Sequence, residues 1–290
     1  MQSNNPILTR VETVSDYSQP MTVQGAIQKS VMLTIIAAAV GVALFFYAAF
    51  TANVGIAYAA SIVGAIGGLV LALITTFKPT TIAAAVGVAL FFLCSPFTAN
   101  VGIAYAASIV GAIGGLVLAL ITTFKPTTAP TLAIPYALFE GAFLGGISFT
   151  FQLKYPGVPL QALLATFVTT LVMFGLYKFQ IIRATEKFKS VVISASLAIF
   201  IVFIVQMVMR LAFGSSIPYI FESNWLGIGF AAFVAVIASL NLILDFDLIE
   251  TNAAYRAPKF MEWLCGIALL ATLVWMYISF LRLLGLLSDD

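Results

Sequence analysis

FTANVGIAYAASIVGAIGGLVLALITTFKPT occupies Phe50 to Thr80 and recurs without change at Phe97 to Thr127. Just upstream, IAAAVGVALFF at Ile36 to Phe46 recurs at Ile82 to Phe92. The copies differ only between these blocks, where Tyr47-Ala48-Ala49 faces Leu93-Cys94-Ser95-Pro96. Each copy holds two apolar runs split by a polar Thr-Ala-Asn turn, so each reads as one helical hairpin. Repeats have to be recognised before spans are counted, because a missed one misnumbers everything downstream. A duplicated hairpin adds two crossings and leaves the orientation of later spans unchanged.

Working outward, apolar residues make up 62% of the 290 and charged residues 8%. A soluble domain carries about 25% charged residues, so this chain is written for a bilayer. Each spanning helix needs about 20 apolar residues. The sequence predicts about nine such runs, near 31–50, 54–76, 81–97, 101–123, 131–152, 159–177, 190–212, 224–245 and 260–287. The fold class is therefore an all-α polytopic membrane protein. Its parts are a polar cytoplasmic tail (1–30), a first hairpin copy (31–80), a second copy (81–128) and the remainder of the bundle (129–290). The tail has no basic-then-apolar signal-peptide pattern.

Loop charge predicts orientation. With the N-terminus in the cytoplasm, Arg10, Lys29, Lys78, Lys125, Lys178, Arg183, Lys187, Lys189, Arg256 and Lys259 lie inside. Only Lys154, Arg210 and Arg282 lie towards the other face.

Composition also excludes functions. A net charge of +2 does not suggest nucleic acid, and the absence of histidine removes His-based zinc sites and Ser-His-Asp triads. Cys94 and Cys265 lack metal-ligand spacing and read as small apolar fillers. Ser148 in GGISF lacks the second glycine of a nucleophile elbow, and no phosphate-binding loop is present. The chain reads as no enzyme, with no cofactor.

Ionisable groups inside spans are costly and mark function by default. Glu140, mid-span in YALFEGAFLGG, is followed by Gly141, Gly145 and Gly146, which let a neighbouring helix approach. In LDFDLIE, Asp247 and Glu250 share a helix face, while Asp245 points about 200° from Asp247 and so looks into the bundle. Arg282 in FLRLLGLL reads as snorkelling or pairing with an internal acid. The stripe Ser61, Gly64, Gly67 and Gly68, repeated as Ser108, Gly111, Gly114 and Gly115, reads either as helix packing within the fold or as a self-association face.

FEGAFLGGIS from Phe139, YPGVPLQALLAT from Tyr155, LYKFQIIRATEKF from Leu176, LDFDLIE from Leu244, APKFMEWL and LVWMYISFLRLL follow one another in an order that resembles the Bax-inhibitor family, its large bacterial branch in particular. The resemblance implies a seven-helix bundle in which the last helix is central and two three-helix groups wrap it. Here one hairpin would be extra. It also implies pH-sensitive calcium leak across the bacterial cytoplasmic membrane, controlled by two internal acids that share a proton. The first acid matches Asp245, with Asp247 beside it. The second position aligns with Ser279, a departure for which Glu140, Asp247 or Glu262 are candidate substitutes. The ion-pathway or pH-sensing residues expected on this reading are Glu140, Asp245, Asp247 and Ser279. The partners are the lipid bilayer and the calcium ion. The alternative is a non-transporting regulator of a membrane-anchored protease. Of the two hairpins, 82–127 is expected to dock in the family position through its short Lys125–Pro130 connection, leaving the first copy peripheral.

Overall fold

The computed structural model describes residues 20–51, 101–214, 217 and 220–289. Within them, helices α1 (Val23–Thr51), α2 (Val101–Phe124), α3 (Ala129–Lys154), α4 (Val158–Lys178), α5 (Glu186–Phe213), α6 (Trp225–Ala254) and α7 (Phe260–Leu287) follow in order. All seven are long and apolar enough to cross a membrane. The runs expected at 54–76 and 81–97, and Cys94, lie outside the described residues.

Local chemistry sets the helix ends. The Thr22 hydroxyl accepts from the Gly25 amide at the start of α1 (2.9 Å). Thr185 and Asn224 do the same for α5 and α6, accepting from Phe188 (3.3 Å) and Gly227 (2.8 Å). Left-handed residues close three helices: Gly214 after α5, Gln180 after α4 and Arg256 after α6. Two elements outrun their sequence boundaries. α1 begins at Val23, which draws residues 20–30 out of the expected tail and into the fold. α6 continues to Ala254, so LDFDLIE lies within the helix and not at its end.

Helix α7 is the hub, packed by α1 and α3 on one side and by α4 and α6 on the other. Helices α1–α3 form one group and α4–α6 a second. This is the seven-helix arrangement the resemblance implies. The main core joins Leu33, Ile36 and Ala37 of α1 to Ala133, Tyr136 and Ala137 of α3 and Ile267, Leu270 and Val274 of α7.

The hairpin copies contribute one described helix each. α2 is the second half of the second copy and docks on α3; the second half of the first copy and the first half of the second lie outside the described residues. Its small residues make the fit: a Cβ on Gly111 would meet the Phe143 amide nitrogen at 2.5 Å and the Phe139 carbonyl at 2.6 Å. On the other side of α3, a Cβ on Gly141 would meet the Ala37 carbonyl at 2.5 Å. The stripe in the second copy therefore works as packing inside the fold. The first copy is not wholly peripheral, because Ile36 and Ala37 open its repeat and are buried in the main core. Continuity explains this: α1 enters through its own N-terminal half, which is not duplicated, and carries the first copy's opening residues with it.

Candidate functional site

Asp245 lies on the stripe of α6 that faces the core. Ala238, Leu242 and Ile249 are buried and stand at helical spacing on either side of it. Across the α6–α7 contact, Thr272 of α7 lies beside the Asp245 carboxyl. The carboxylate oxygen Oδ2 is enclosed and has no hydrogen-bond partner among the described residues. Buried polar atoms almost always find a partner, so an orphaned carboxylate oxygen makes Asp245 a candidate functional residue. Two turns along α7 from Thr272, buried Cys265 is near enough to interact electrostatically with Asp245.

The other expected residues sit elsewhere. Ser279 is buried, but its hydroxyl donates to the Trp275 carbonyl of its own helix (2.8 Å). It stands seven residues beyond Thr272, about 10 Å along the axis. Thr272 is the α7 side chain that interacts with Asp245. Asp247 lies on the opposite face of α6 and pairs with Lys189 at 2.8 Å. Glu250 accepts from the Tyr177 hydroxyl. Glu262 is 2% exposed and bound to Lys29 and Thr22, so it is committed to α1.

Glu140 lies between α3 and α2. Tyr136 stands one turn before it on α3, and the Glu140 Oε1 would stand 2.8 Å from a Cβ at Gly115. The glycine that makes room for it belongs to the duplicated stripe, a link the sequence alone did not expose. Among the described residues, Arg282 pairs with no acid. Its Nη2 donates to the Ile220 carbonyl (2.8 Å), and its guanidinium stands 4.2 Å from the Phe221 ring centre and 5.5 Å from that of Phe230.

Further polar links tie the helices. Tyr277 of α7 and Ser148 of α3 share a hydrogen bond of 2.7 Å, and Asn241 of α6 donates to Ser196 of α5 at 2.8 Å. Where α7 ends, Asp289 accepts from Tyr155 (2.5 Å) and Ser223 (2.8 Å), which holds its carboxyl below the usual range. Among the described residues, no three Asp, Glu, Cys or His side chains gather as a metal site.

A central helix wrapped by two triplets, with a partly satisfied acid against it, defines a multi-pass helical membrane protein with a polar point in its core. The family profile described as Bax inhibitor 1 like matches residues 5–92 and 80–289, and the chain belongs to that family. The two matches overlap over 80–92, where the first hairpin copy gives way to the second. Neither curated proteins nor solved structures gave a match.

Proposed function

We propose that this protein lets a cation leak slowly across its membrane and that Asp245 controls the leak. The observation that carries the reading is the enclosed, unpartnered Oδ2 of Asp245 at the contact of α6 with the central helix. A carboxyl changes charge by one proton, and an enclosed one makes different demands on its surroundings in each state. Loss of the proton leaves a charge that seeks a cation or an opening; gain of it restores a neutral, closed contact. Calcium is the proposed cargo, on the family resemblance and on the preference of that hard cation for oxygen ligands. Glu140 is a second oxygen donor, at the α2–α3 interface. The membrane proposed is the bacterial cytoplasmic one, with the N-terminus inside. The end of the bundle where α1 begins collects Lys29, Lys178, Arg183 and Lys187, which supports that orientation.

The test is calcium flux into proteoliposomes holding wild type, Asp245→Asn or Glu140→Gln. Wild type should leak, and Asp245→Asn should lose its response to pH. A pH-responsive leak unchanged in both variants overturns the assignment. A wild type without flux favours the regulator of a membrane-anchored protease instead.

A further inference from the structure

The segment leading into α1 does more than begin a helix. Pro20 bridges Pro258 in antiparallel fashion, and the Met21 amide donates to the Ala257 carbonyl (2.7 Å). The Thr22 amide (3.0 Å) and hydroxyl (3.2 Å) then donate to Glu262 Oε1, and Lys29 pairs with its Oε2. Gly25 lies flat against that carboxylate, where any Cβ would collide with it. The Lys29 ammonium also stands 5.2 Å from the Trp263 ring centre.

Beneath these polar contacts, Met21 and Ala26 are buried in one cluster with Ile249, Ala257, Met261 and Cys265. Ile249 of that cluster lies one turn beyond Asp245 on α6, and Cys265 one turn beyond Glu262 on α7. Residues 20–29 therefore cover an apolar cluster that lies one helical turn beyond Asp245, on the side of the α6–α7 turn. Breaking a buried ion pair by removing one partner leaves the other charge uncompensated, so Lys29 and Glu262 hold the roof in one seated position.

We propose that residues 20–29 form an autoinhibitory strap, which must lift from the α6–α7 turn before Asp245 can exchange with the adjoining aqueous side. This rests on the leak reading for its consequence, but the closure itself does not. Whatever engages the chain before Pro20 would pull directly on the strap and so reach Asp245 through Cys265 and its neighbours.

Two measurements test it. In a Cys94→Ser background, Cys265 is labelled with an impermeant maleimide in membranes exposing the α1-start side. Lys29→Gln should raise the labelling rate by about tenfold or more, since the rate follows local opening. An unchanged rate overturns the strap as a cover. In a second protein, Pro20→Cys/Pro258→Cys with Cys94→Ser and Cys265→Ser, directly opposed bridge residues lie within disulfide reach. Oxidation should suppress calcium flux, and reductant should restore it in the same sample. Flux that persists when oxidised overturns the gating role. If Lys29→Gln does not fold, the tether decides the proposal alone. If even the reduced protein and the wild type show no flux, the leak reading fails, and labelling still decides whether the strap covers Cys265.

Discussion

Thr272 of α7 lies beside the Asp245 carboxyl of α6, whose Oδ2 is enclosed without a partner among the described residues. Removing the Thr272 hydroxyl takes a polar neighbour from that carboxyl. Thr272→Val keeps the shape of the side chain and should cost about 1–3 kcal/mol, the range for losing one partner of a buried polar group. Thermal unfolding in detergent checks this, and Asp245→Asn in the Thr272→Val background should recover part of the loss. An additive pair would show that the two side chains do not act together.

The α2–α3 contact predicts a difference between two identical stretches. Gly111→Ala places a methyl group 2.5 Å from the backbone nitrogen of Phe143 and should destabilise by about 1–3 kcal/mol through overpacking. Gly64 has the same neighbours in sequence, in the first copy. Gly64→Ala should cost less, because α2 of the second copy fills the α3 groove. Melting temperatures of the two variants compare them directly, and an equal loss would mean that both copies use the groove.

Deleting residues 36–81 should leave a folded seven-span protein. The deletion joins Ile35 to Ile82 and puts Ile82–Phe92 where Ile36–Phe46 stood, with identical letters. Ala83 would then replace Ala37 against Gly141, and α2 keeps its own Lys125–Pro130 connection. Monodisperse purification with wild-type helicity checks it, and failure to insert stably would contradict it.

Much of the fold was legible because apolar length is a strong signal. The spans from 101 onward were found to within a few residues, apart from the end of α6. Its last turns carry Asp247, Glu250, Thr251 and Asn252, which look like a loop by hydropathy, yet Asn252 is buried and Asp247 is neutralised by Lys189. The site was half legible. Asp245 could be read from its angle to Asp247 on a helix. Thr272 could not, because its role depends on the register between α6 and α7, which no pattern within one helix encodes. A buried-face stripe through Cys265, Thr272 and Met276 was the available signal. The Glu262–Lys29 pair spans most of the chain and depends on where α1 starts, a boundary set by one hydroxyl cap at Thr22.

Asp245 is proposed as the titrating control of a cation leak. The most direct measurement is calcium flux across a pH series in proteoliposomes of wild type and Asp245→Asn, matched for protein content. Wild type should show a pH-dependent flux and the variant a flat profile. A variant profile with the same midpoint and amplitude as wild type would contradict it.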